Sequence, residues 1–135
     1  MINFYSYYTG NGLDNESYGQ LFDLLYRNDY DKKLEPVKHI IKKTPFFAYR
    51  YAREVLKDRW LEAEPYIMKD TWHAYCYAAV IMEDRWLEAE PYIMKDPSSS
   101  HLYARYVIKG RWIDAESYIM KDGTWWGYYC VVFGI

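Results

Sequence analysis

The stretch DRWLEAEPYIMKD runs from Asp58 to Asp70 and again, letter for letter, from Asp84 to Asp96. A third version, RWIDAESYIMKD, begins at Arg111, so that Arg59, Arg85 and Arg111 mark a period of 26 residues. Self-similarity at a fixed period of about 20–50 residues is the signature of stacked supersecondary units, none of which buries its apolar face alone. Backwards in register lies a degenerate copy, KLEPVKHIIKKTP from Lys33 to Pro45, with Leu34 in the place of Trp60 and Ile40 in that of Tyr66. Forwards lies half a unit, Gly123 to Ile135. The pattern predicts an all-α chain, an α-solenoid of stacked two-helix repeats with a divergent N-terminal cap unit and a C-terminal half-repeat helix. Its single domain divides into an N-terminal segment 1–19, a degenerate repeat 20–44, repeats 45–70, 71–96 and 97–122, and a terminal helix 123–135.

Each unit reads as two short helices. The first opens after a residue suited to N-capping, in Thr44-Pro45, Asp70-Thr71, Asp96-Pro97 and Asp122-Gly123, and twice a proline takes the first helical position. Its apolar stripe recurs at i, i+3, i+4, i+7: Ala48, Tyr51, Ala52, Val55; Ala74, Tyr77, Ala78, Ile81; Ser100, Tyr103, Ala104, Val107; Trp126, Tyr129, Cys130, Phe133. A tyrosine beside a small residue is expected to let neighbouring helices approach while the ring fills the gap. This helix should stop near Asp58, Asp84 and Gly110, the glycine being a natural stop. The second helix carries Trp60, Ala63 and Ile67, repeated as Trp86, Ala89, Ile93 and Trp112, Ala115, Ile119. Pro65 and Pro91 lack an amide donor, so that helix should begin near Glu62 and Glu88, with the proline in its first turn. Ser117 lifts the restriction in the third unit.

Composition narrows the function classes. The 135 residues hold 17 Tyr and 6 Trp, and a formal charge of −2 gives no broad basic field for nucleic acid. Cys76 and Cys130 make no C-x-x-C pair, which fits a reducing compartment. The N-terminus shows no basic leader with an apolar run behind it, and WWGYYCVVFGI, Trp125 to Ile135, is about half a bilayer span. The expectation is a cytoplasmic protein, without membrane attachment. In the N-terminal segment, Phe4, Tyr5, Tyr7 and Tyr8 are candidates to fold over the array, with a turn at Gly10 to Gly12 and a helix starting near Asp14 or Asn15.

No constellation for catalysis stands out, and no cofactor is expected. Glu62 and Glu64, two apart on a helix, point to different sides and recur as Glu88/Glu90 and Asp114/Glu116, whereas a catalytic pair needs one special environment. They read as favourable acids in a helical first turn. His39, His73 and His101 have no metal-ligand spacing, and there is no phosphate loop or nucleophile elbow. The Asp58/Arg59 and Asp84/Arg85 pairs read as a ladder of structural ion pairs, and Trp60, Trp86 and Trp112 as core rather than a base-stacking ladder.

Variation between otherwise matching units is concentrated on the first helices, opposite the buried stripe. It runs Arg50, Arg53, Glu54, Lys57; then Cys76, Ala79, Val80, Glu83; then Leu102, Arg105, Tyr106, Lys109; then Tyr128, Val131, Val132, Ile135. Arg50, Arg53, Lys57, Val80, Leu102, Arg105, Tyr106 and Lys109 are the candidate partner-binding residues, since tyrosine and arginine are favoured anchors. Trp125, Tyr128, Val131, Val132 and Ile135, with Trp126 and Phe133, make an apolar end suited to self-association into a homodimer, because terminal units usually turn a polar side outward.

Units reading R-W-x-E-A-E-P-Y-I-M-K-D followed by an A-Y-x-Y-A helix resemble a short tandem helical repeat found in uncharacterised proteins of tailed bacteriophages and other viruses. The likeness covers Pro45 to Ile135 well, Lys33 to Thr44 weakly and the first nineteen residues not at all. It implies a small viral α-solenoid acting in the host cytoplasm and brings no catalytic residues. Small phage proteins of this kind often bind and block a host protein, immune components included, so the leading expectation is a protein-binding, inhibitory scaffold. A trap for a nucleotide or other small signalling molecule is the second reading, since a Tyr-rich, Arg-containing groove could serve it. RNA binding is the third, disfavoured by charge.

Overall fold

The computed structural model describes residues 38–135, and among them the chain is mostly helical, with eight α-helices and no strand. The expected turn and helix within residues 1–37 lie outside the described residues. Helix α1 is Lys38–Ile41. The first helices of successive units are α2 (Pro45–Tyr51), α4 (Thr71–Tyr77), α6 (Pro97–Tyr103) and α8 (Gly123–Phe133). Between them lie the second helices α3 (Glu64–Ile67), α5 (Glu90–Ile93) and α7 (Ile113–Ile119). Thr44, Asp70, Asp96 and Asp122 all take the extended N-cap conformation. The Asp70 carboxylate accepts from the His73 amide, and that of Asp122 from Thr124 and Trp125. At Asp96 the carboxylate instead gathers hydroxyls, accepting from Ser99 at 2.6 Å and, from the start of its own unit, from Thr71 at 2.9 Å.

The second helices begin later than Glu62 and Glu88: residues 61–63 and 87–89 are turns, and α3 and α5 start at Glu64 and Glu90 with the proline in the first turn. Proline's missing amide is harmless there and disruptive one turn further in. With Ser117 in its place, α7 reaches back to Ile113 and is seven residues long rather than four. This is the lengthening that relief from proline predicts.

The first helices are not α-helical to their ends. Ala52–Leu56, Ala78–Met82 and Ala104–Ile108 are π turns, each closed by a left-handed residue, Lys57, Glu83 or Lys109, with φ between 52° and 60°. Gly110 is therefore not the stop; the residue before it is. Helix α8 stays α-helical and stops one position earlier in the repeat, at Gly134, φ 69°. Gly134 stands where the other units have Leu56, Met82 and Ile108. Glycine enters the left-handed region without cost, whereas bulky side chains resist it. In those three units the stop moves on by one residue, and the extra residue is taken up as a π turn.

Successive first helices lie against one another, α2 on α4, α4 on α6 and α6 on α8, and each second helix is wedged beside them. Tyr51, Tyr77, Tyr103 and Tyr129 are completely buried, as are Ala48, Ala52, Ala74, Ala78, Ser100 and Ala104. Tyr51 packs on Trp60, Tyr77 on Trp86 and Tyr103 on Trp112, with centroids 4.7, 5.0 and 5.0 Å apart. Tyr129 is covered by rings of its own helix, Trp126 stacked at 5.4 Å and Phe133 at 4.6 Å. Val55, Ile81, Val107 and Phe133, the last positions of the expected stripe, are only partly buried.

Candidate interaction surface

A polar node recurs at three junctions and holds the outer surface in place. The Tyr77 hydroxyl accepts from the Trp60 amide at 2.8 Å, Tyr103 from Trp86 at 2.7 Å and Tyr129 from Trp112 at 2.7 Å. Tyr103 then donates to Glu90 at 3.0 Å, and Tyr129 to Glu116 at 3.1 Å. These two glutamates and Glu64 are buried, and each accepts from the arginine five residues before it: Glu64 from Arg59, Glu90 from Arg85, and Glu116 from Arg111 through two parallel bonds of 2.8 and 2.9 Å. A carboxylate this buried requires such partners. Bonding to Arg111 holds the Glu116 carboxyl below its ordinary range, while burial pushes the Tyr77 phenol up to about 12 and that of Tyr103 higher still. The phenols therefore stay protonated and able to donate.

This node refines the reading of the acids and ion pairs. Glu62 and Glu88 are exposed but lie in the turns before α3 and α5 rather than in a helical first turn, and the first-turn acids Glu64, Glu90 and Glu116 are buried structural groups. The Asp58 and Asp84 carboxylates accept from the amides of Arg59 and Arg85, whereas the guanidiniums turn to the glutamates within their own unit. Trp86 and Trp112 are buried and Trp60 partly so, which leaves no open ladder for bases. Among the described residues no group of three His, Cys, Asp or Glu is placed to hold a metal ion.

The variable stripe faces outward, in three unlike stretches. On α2 and its π turn, the Arg50 guanidinium lies 5.4 Å from the Phe46 ring, Arg53 lies over Tyr49 and pairs with Glu54 at 3.0 Å, and Lys57 is exposed. In the next unit Val80 is exposed, whereas Cys76 is half-buried and burial pushes its thiol up to about 11, so it is no poised nucleophile. In the third, Leu102 is half-buried, Arg105 lies 5.0 Å from the Tyr106 ring centre, and Tyr106 and Lys109 are open to solvent. A groove of about 400 Å³ between the last two stretches brings Tyr106, Val107 and Lys109 against Ala78, Ala79, Glu83 and Asp84. Arg50, Arg53, Lys57, Val80, Leu102 and Arg105 do not line it. A second hollow of similar size is lined by Lys38, His39, Lys42, Trp60 and Glu62.

Of the self-association residues, Tyr128, Val131, Val132 and Ile135 are exposed, Val131 at 82%. Trp125 is not part of that face. It is half-buried against His101, centroids 5.5 Å apart, because α8 lies on α6 along that side. A row the stripe reading missed is Leu61, Leu87 and Ile113, exposed at 67, 66 and 62% in equivalent places of the three units. Its signal was in the sequence, as an apolar residue retained beside the tryptophan yet off the Trp60, Ala63, Ile67 spacing. No helix among the described residues is long and apolar enough to cross a membrane.

No family model, curated protein or solved structure matches this chain.

Proposed function

We propose that the chain is an α-solenoid of two-helix units working as a non-enzymatic protein-binding scaffold, of the kind phages use to bind and inhibit a host protein, including an immune-defence protein. The observation that supports this is a contrast on single helices. The inward side repeats one hydrogen-bonded node, while the outward side changes from Arg53 and Lys57 to Val80 to Tyr106 and Lys109, the last two lining an open groove. A rigid array with a varied aromatic and basic face is a common protein-recognition design. The groove offers a phosphate one lysine against Glu83 and Asp84, which supports a nucleotide trap less well.

Affinity capture from host lysate tests the reading, with Tyr106→Ala and Arg105→Glu beside the parent chain. The expected result is a specific host protein held by the parent and lost by both variants at unchanged melting temperature. Equal capture by all three would remove this face from consideration.

A further inference from the structure

Each first helix before α8 presents one lengthwise face to the first helix that follows. Tyr49 of α2 meets His73 of α4, centroids 6.2 Å apart, and His101 of α6 meets Trp125, Tyr128 and Tyr129 of α8 at 5.5, 6.5 and 6.3 Å. One period further along, those positions on α8 are Thr124 and Gly127, bordered by Tyr128 and Val131 of the outward stripe; all four are exposed, and a Cβ placed at Gly127 would meet no atom within 4 Å beyond its own helix. The other first helices hold a ring at the Gly127 position, Tyr49, Tyr75 or His101. Helix α8 has a notch there instead, directly beside the half-exposed ring of Tyr128.

We infer that this face is closed by a second copy of the chain, with two α8 helices crossing antiparallel about a twofold axis and Tyr128 of each copy seated over Gly127 of the other. A twofold contact requires one patch to complement itself, and a notch adjoining a ring does so. The residues from Gly123 to Ile135 include no charged side chain, so pairing brings no like charges together and takes no side-chain charge out of water. A charged partner, conversely, would find no side-chain charge to pair with there. The face is also continuous in type with the helix-on-helix contacts already made along the chain, and antiparallel crossing opposes the two helix dipoles favourably. Centring on Gly127 and Tyr128 sets Val131 of each copy opposite Thr124 of the other. One pair of eleven-residue helices is a small interface, so the dimer has a Kd on the order of 10 µM.

Sedimentation equilibrium of the full chain from about 1 to about 300 µM should show monomer passing to dimer. Val131→Asp is expected to raise Kd by about 100-fold or more, since it buries a charge on each copy. Gly127→Leu should raise it at least about tenfold by filling the notch. Because a Cβ at Gly127 points into open space within one copy, this variant should keep its far-UV circular dichroism and its melting temperature at low concentration, and it decides the matter if the aspartate disturbs folding. Tyr106→Ala, on the partner-binding stripe, should leave Kd unchanged. A monomer at every concentration overturns the inference, as does a dimer indifferent to both α8 substitutions. So does a monomer in which hydrogen exchange finds α8 shielded along Tyr128 and Val131, which would assign the face to another segment of the same chain.

Discussion

Tyr51 and Tyr103 occupy equivalent places two units apart, and both rings are completely buried, yet only one hydroxyl is used. Tyr103 accepts from the Trp86 amide and donates to Glu90. Tyr51 Oη is buried with no hydrogen-bond partner among the described residues, and the place of Glu90 is taken by Lys38, whose ammonium lies 5.5 Å from the Tyr51 ring centre. The difference separates two duties of the same side chain. Filling the gap between helices is needed at both junctions, whereas the hydroxyl is engaged only where a glutamate stands thirteen residues before the tyrosine. The copied thirteen residues supply that second requirement, which accounts for the repeat of Arg, Trp and Glu together rather than of apolar character alone.

The largest effect expected is from removing the ring. Tyr103→Ala should cost about 3–5 kcal/mol of unfolding free energy by urea titration, through a cavity at the centre of the array. Removing the hydroxyl alone sharpens the contrast. Tyr103→Phe leaves the Trp86 amide and the Glu90 carboxylate short of a partner and should cost about 1–3 kcal/mol, while Tyr51→Phe should lie within about 0.5 kcal/mol of the parent or above it. Equal losses at the two positions would break the comparison.

A smaller effect should follow pH. His101 is buried against Trp125, Tyr128 and Tyr129, and burial first, then the nearby Arg105 charge, hold its imidazole below the ordinary range. Its folded-state value is therefore lower than its unfolded one. Above the ordinary value both states are neutral and nothing is lost. As pH falls through it, the unfolded chain takes up the proton first and stability declines, by at most about 1.4 kcal/mol per pH unit, until the folded value is reached. His101→Phe should flatten stability between about pH 6.5 and pH 5, measured by urea midpoints across that range. The smallest effect is expected outside the junctions, where Tyr106→Ala should change stability by no more than about 0.5 kcal/mol.

Much of this was legible in the letters. The Thr and Asp caps located the first helices, and the i, i+3, i+4 spacing identified Tyr51, Tyr77, Tyr103 and Tyr129 as core. Three things were not. The burial of Glu64, Glu90 and Glu116 depends on an arginine five residues before each and, at Glu90 and Glu116, on a tyrosine thirteen residues after, so an acid in a first turn gives no sign of it. Trp125 was assigned to an exposed face because helical spacing within α8 says nothing about where α6 lies. The π turns were hidden because the apolar spacing before them is ordinary; only the alignment of Gly134 with Leu56, Met82 and Ile108 hints that the interior helices hold one residue more than α geometry uses.

That additional residue gives the array slack at a known spot. The same slack recurs in all three π turns, so each marks a place where losing a single amino acid would tighten the turn into α-helix, leaving the tyrosine upstream and the tryptophan downstream in step.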